Sequence, residues 1–160
     1  MNIIDYASEN NLEKVKECLE NGADVNLQGG YGRTALAWAS WYKNENIVQL
    51  LLENKADVNI QDSYGDTALL WASRRGSENI VQLLLENGAD VNIQNEFGKT
   101  ALIVAREVGN TKMVKLLEKG GGKKWKLNYY RFMVLIETLL ILLGLVVLSK
   151  LKKRLGQIKK

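Results

Sequence analysis

Trp41 and Tyr42 stand 33 positions before Arg74 and Arg75, and the same interval separates Arg33 from Asp66 and Asp66 from Lys99. Aromatic rings and guanidinium groups are over-represented among the residues that dominate protein-binding surfaces. Catalytic chemistry is poorly supplied by comparison. The chain has no histidine to serve as a general base, a single cysteine, Cys18, and no strand-to-helix glycine loop of the kind that cradles phosphate. The run "KGGGKK" at 119–124 is glycine-rich but follows a helical pattern, so it reads as a linker. Asp24, Asp57 and Asp90 also recur at the 33-residue interval. That regularity marks one loop element used three times, its carboxylate bonded to local backbone, in place of an acid–base pair or metal site. No catalytic residue, metal site, cofactor or small-molecule substrate is expected.

The interval belongs to everything around these residues. "ENIVQLLLEN" occurs at 45–54 and again at 78–87, within the longer match of "YGRTALAWASWYKNENIVQLLLENKADVNIQDS" to "YGDTALLWASRRGSENIVQLLLENGADVNIQNE". Weaker copies flank the pair, so residues 1–119 divide into four units at 1–30, 31–63, 64–96 and 97–119. Each unit predicts two short helices and a finger-like turn. Thr34 is a helix N-cap before the apolar run Ala35–Ala39, and Gly76 and Gly109 mark where that helix stops in the next two units. Ile47, Val48, Leu51 and Leu52, with Ile80, Val81, Leu84 and Leu85, give the second helix one apolar face. Neither helix is long enough to stand alone in water, so stacking must stabilise both. Gly22 and Gly88 suit a left-handed cap after the second helix, where the middle copy has Lys55.

The "G-x-T-A-L" opening and "L-L-L-E-N-G-A-D-V-N" close, at a 33-residue period, resemble the ankyrin repeat family over residues 1–119. The resemblance implies an all-α solenoid of helix pairs with short finger turns. The chain departs from the family's "T-P-L-H": Ala35, Ala68 and Ala101 stand in place of proline, and Ala37, Leu70 and Ile103 in place of histidine. The inter-repeat hydrogen bonds of that histidine are therefore expected to be missing, with apolar packing, Trp38 and Trp71 included, in their place. Within the family, partners are gripped by the concave face, lined by the end of the first helix and the finger tip. The matching positions are those that change from copy to copy here: Arg33, Asp66 and Lys99; Trp41, Arg74 and Glu107; Tyr42, Arg75 and Val108. Of these, Arg33, Trp41, Tyr42, Asp66, Arg74, Arg75, Lys99 and Glu107 are the candidate partner-binding residues. The competing reading has Trp41 folded over the helix edge and the arginines as a solvated face. Tyr31, Tyr64 and Phe97 repeat in register and read as props for the finger turns, and Cys18, matching Leu51, as a buried thiol.

Charge separates this body from the C-terminal tail. Residues 1–119 carry 12 Lys and Arg against 17 Asp and Glu; residues 120–160 carry 10 against 1. A basic, apolar tail points to membrane lipid more readily than to nucleic acid. After a basic linker at 120–131, "FMVLIETLLILLGLVVLS" runs from Phe132 through Glu137, Gly144 and Leu148 to Ser149 with one charge, Glu137. As a helix it would extend about 27 Å, close to the roughly 30 Å of a hydrocarbon core. Its thirteen Phe, Leu, Ile and Val residues outweigh the cost of one carboxylate. Trp125, Tyr129 and Tyr130 suit one interface, and the basic tail 150–160 the other. The alternative is an apolar helix docked on the last repeat.

With no signal peptide at the N-terminus, the expectation is a single-pass, tail-anchored protein whose repeat domain is cytoplasmic. Two other readings compete with this membrane-tethered adaptor. One is a soluble binding module with a docked helix; the other is a small membrane subunit acting through its span, where Glu137 is either a tolerated defect or a polar contact to another membrane helix.

Overall fold

The computed structural model describes residues 2–121. The expected span at 132–149, the basic tail at 150–160 and most of the linker lie outside the described residues. Among the described residues no helix is long and apolar enough to cross a membrane.

The described residues form four helix pairs and no strand: α1 (Ile3–Ser8) with α2 (Leu12–Glu20), α3 (Ala35–Tyr42) with α4 (Glu45–Glu53), α5 (Ala68–Arg75) with α6 (Glu78–Glu86), and α7 (Ala101–Glu107) with α8 (Thr111–Lys119). Thr34 starts α3 as expected, and Thr67 and Thr100 start α5 and α7 in the same way. Thr34, Thr67 and Thr100 each hold extended backbone and accept the N–H of Ala37, Leu70 and Ile103 through their hydroxyls, a cap that contributes about 1 kcal/mol. Gly76 ends α5 in the left-handed conformation and Gly109 adopts it just after α7, while Lys43 takes that role after α3. The strained cap at Lys55 is real: its φ is +64°, beside +80° at Gly22 and +85° at Gly88.

Successive first helices pack as one row, α1 on α3 on α5 on α7, and more intimately than the second helices pack on one another. Small residues explain the difference: Ala7, Ala35, Ala39, Ala68, Ala72, Ala101 and Ala105 are all buried between first helices. The second helices insert Ile47, Val48, Leu51, Ile80, Val81, Leu84, Met113 and Leu117 into the same core. Closer spacing on one side curves a stack toward that side, so the first helices and fingers line its inner face. Cys18 is only half-buried, unlike its fully buried counterpart Leu51.

The residues at the missing histidines' positions pack as expected, Ala37 and Leu70 being buried along with Trp71, and the fingers are joined in addition by polar contacts. Asp24, Asp57 and Asp90 accept the N–H groups of Asn26, Asn59 and Asn92, the local role expected of them. Asn26 Oδ1 then accepts Asp57 N–H, and Asn59 Oδ1 accepts Asp90 N–H, both at 2.8 Å. A second row runs parallel: Gln28 and Gln61 each donate through Nε2 to the carbonyl of their own finger glycine, Gly32 and Gly65, and to the next repeat, at Gln61 and Gln94. Amides with two donors and an acceptor bridge neighbouring backbones as an imidazole would.

Candidate partner-binding surface

The C-terminal turns of α3 and α5 place Trp41, Tyr42, Arg74 and Arg75 beside the bases of the first two full fingers. One residue in that finger organises the region. Asp62, with its side chain 1% exposed, accepts Tyr64 and Asp66 N–H on Oδ1 and Arg33 Nε and Trp71 Nε1 on Oδ2. Four donors, one of them cationic, satisfy a carboxylate that would be costly to bury unpaired. Asn95 holds the matching place in the next finger, accepting Phe97 and Lys99 N–H on Oδ1 and donating Nδ2 to Asp66 at 2.8 Å.

Cations and rings alternate above this base. The Arg33 guanidinium carbon lies 4.6 Å from the Trp71 ring centroid, 4.8 Å from Trp38 and 5.7 Å from Tyr31. Arg74 sits 4.9 Å from the same Trp71 ring, and its Nη1 pairs with Asp66 at 3.1 Å. Trp41 meets Trp71 edge to face at 5.1 Å, and Trp38 stacks on Tyr42 at 5.8 Å. Arg75 covers the Trp41 ring at 4.6 Å and donates Nε to the Trp41 carbonyl at 3.1 Å. Each cation over a ring face is worth about 0.5–2 kcal/mol, more as water is excluded.

The eight candidates therefore divide. Trp41, Tyr42, Arg74 and Arg75 come together with Arg33, whereas Lys99 and Glu107 pair with each other at 2.8 Å one repeat further on. Asp66 lies inside, buried beneath Arg74 and Asn95, and its carboxylate is committed to the scaffold. Arg33 is likewise turned inward onto Asp62. Tyr42 and Arg75 remain exposed. Trp71 is packed as its register suggests, and Trp38 is only partly buried, its ring shared with the surface cluster.

At the finger tips, Tyr31 is 66% exposed, Tyr64 40% and Phe97 67%, and Tyr31 stacks on Tyr64 with centroids 6.2 Å apart. They form a displayed row along the fingers, whose turns are also held by Asp62, Asn95 and the backbone bonds Ser63 N–H to Tyr31 O and Glu96 N–H to Tyr64 O. Their register repetition carried the signal, and their position at the tip carried its meaning.

A stack of short helix pairs with aromatic and cationic residues collected on its inner face defines a repeat scaffold for protein contact. A family model described as ankyrin repeats, three copies, matches residues 3–95, and a second, ankyrin repeats in many copies, matches residues 76–118. The chain belongs to the ankyrin repeat family, typically a non-catalytic protein-interaction module, which implies a protein partner. No curated protein matches the chain.

Proposed function

We propose that this protein is a membrane-tethered adaptor that binds a protein partner through the inner face of its ankyrin stack. The observation that supports the binding face is the clustering of Trp41, Tyr42 and Arg75 at the C-terminal ends of α3 and α5, backed by the Trp38 and Trp71 rings, with Tyr31, Tyr64 and Phe97 displayed along the finger tips. Rigid rings and a guanidinium lose little conformational freedom on binding, which favours affinity. Tethering rests on the composition of Phe132–Ser149 and its basic flanks. The repeats then face the cytoplasm, and the anchor raises their local concentration near membrane-bound partners.

Alkaline carbonate extraction tests the tether. Membranes from cells expressing the full chain are compared with those from cells expressing a version ending at Lys119. Retention of the full chain in the pellet, with the shorter version released and folded, supports the anchor. Release of both leaves a soluble ankyrin binding module and removes the tether.

A further inference from the structure

Arginine accounting on the inner face singles out one side chain. Arg33 pairs with Asp62, Arg74 with Asp66 and Arg106 with Glu118, so three of the four guanidinium groups among the described residues are neutralised internally. Arg75 has no carboxylate partner among the described residues. It is nonetheless held in place, because its plane lies over Trp41 and its Nε is donated to the Trp41 carbonyl. Both terminal nitrogens are left for another acceptor. A guanidinium fixed by a ring and a backbone bond has already lost much of the rotamer freedom that binding would cost.

We infer that Arg75 is a preorganised anchor for a single carboxylate on the protein partner, an Asp or Glu flanked by an apolar residue that rests on Tyr42. This rests on the inner face being the partner-binding face. Carboxylate geometry matches the free fork of the guanidinium, two parallel N–H donors meeting two oxygens. Tyr42, 48% exposed and braced by its stack on Trp38, holds in α3 the position that Arg75 holds in α5, one repeat away, and supplies the apolar wall. Charge argues for a single carboxylate over a phosphate. A phosphoryl group brings nearly two negative charges, whereas the neighbouring Arg33 and Arg74 are bound to buried carboxylates and the repeat body carries 17 acidic against 12 basic residues. Arg75 is the one guanidinium among the described residues left to meet a carboxylate.

The test selects random linear peptides against the full chain and measures the affinity of the strongest for the parent, Arg75→Gln, Arg75→Lys and Tyr42→Ala. Selected peptides should carry Asp or Glu beside an apolar residue. Arg75→Gln should weaken them about tenfold to hundredfold, the range for a charge-assisted hydrogen bond. Arg75→Lys should fall between, since it keeps the charge and loses the fork. Changing the peptide acid to its amide should cost as much in the parent and nothing further in Arg75→Gln.

Peptides that lose affinity with Tyr42→Ala but not with Arg75→Gln would overturn the anchor and leave the binding face standing. Tighter binding of the same peptide with phosphoserine in place of the acid would overturn the carboxylate assignment. Indifference to both Tyr42→Ala and Arg75→Gln would overturn the binding face itself. Thermal midpoints of the variants, unchanged from the parent, exclude unfolding as the cause of any loss.

Discussion

Arg33 and Trp71, from successive repeats, share one carboxylate: the Arg33 Nε and the Trp71 indole N–H both reach Asp62 Oδ2, at 3.3 and 3.2 Å, while the guanidinium lies 4.6 Å from the Trp71 ring centroid. Each member satisfies the other two. The triangle fastens the finger between the first two full repeats to α5 on one side and to the extended segment before α3 on the other, which is how the rigid part of the inner face is built.

Removing one corner exposes the cost of the rest. Arg33→Ala leaves a buried carboxylate with three neutral donors and no counter-charge, and chemical denaturation should show a loss of about 2–3 kcal/mol, below the full cost of an orphaned buried ion because those donors persist. Adding Asp62→Asn should recover only part of it, because the amide removes the buried charge but its Nδ2 cannot accept the Trp71 indole N–H that Oδ2 takes. Asn95 already performs the same finger role one repeat later. A double variant no more stable than Arg33→Ala would show that the charge pair is not what holds this finger.

The cap at Lys55 stores strain that glycine relieves. Its φ of +64° is the conformation that Gly22 and Gly88 adopt at the matching positions. Lys55→Gly should stabilise the protein by about 1 kcal/mol. A thermal midpoint that falls would mean that the lysine side chain makes a compensating contact.

Much of this architecture was legible in the sequence because its signals are local. Thr34 as cap, the apolar face of α4 and the finger role of Asp24, Asp57 and Asp90 depend on residues within a few positions of one another, and repetition reinforced each. What was hidden depends on contacts between repeats. Asp62 has Gly29 and Asn95 as counterparts, so three residue types at one register position concealed a shared role in closing the finger. Arg33 turns inward because Asp62, at the far end of its own unit, and Trp71, from the next repeat, draw it there. The Asn and Gln ladders were written in plain repetition at 26, 59 and 92 and at 28, 61 and 94, yet an exposed amide announces a bridge only once the neighbouring finger is in place.

Two serines in the first helices are buried without partners. Ser40 and Ser73 are fully enclosed, and neither hydroxyl finds a hydrogen bond; the matching residue in the first repeat is Ala7, equally buried. Alanine therefore fits the site. Ser73→Ala should raise stability by about 1 kcal/mol, the desolvation cost of an unpaired hydroxyl. A loss of stability would point to a hydrogen bond formed in solution.

Gly65 and Gly98 separate backbone strain from close approach. Both have positive φ, +74° and +68°, but a Cβ on Gly65 would lie 2.9 Å from Asn95 Cα and 3.0 Å from Glu96 N, whereas one on Gly98 would meet nothing within 4 Å. Gly98→Ala should cost about 1 kcal/mol from conformation alone. Gly65→Ala should cost more, about 2–3 kcal/mol, because the fingers must also part. Equal losses in urea denaturation would mean that the fingers separate freely.

Arg74 and Arg75 are neighbours with opposite assignments, and stability should tell them apart. Arg74 neutralises Asp66, whose side chain is 3% exposed and whose other oxygen is occupied by Asn95. Arg75 serves no buried charge. Arg74→Gln should therefore cost about 1–2 kcal/mol, reduced from the cost of a fully buried pair because the guanidinium itself is partly solvated. Arg75→Gln should stay within about 0.5 kcal/mol, as expected of an exposed side chain with one backbone bond and one ring contact. The reverse order would make Arg75 the scaffold residue and free Arg74 for a partner, which would move the carboxylate anchor one position along α5. An equal, small effect of both would mean that Asp66 is held well enough by Asn95 alone, and that both arginines are available to whatever binds this face.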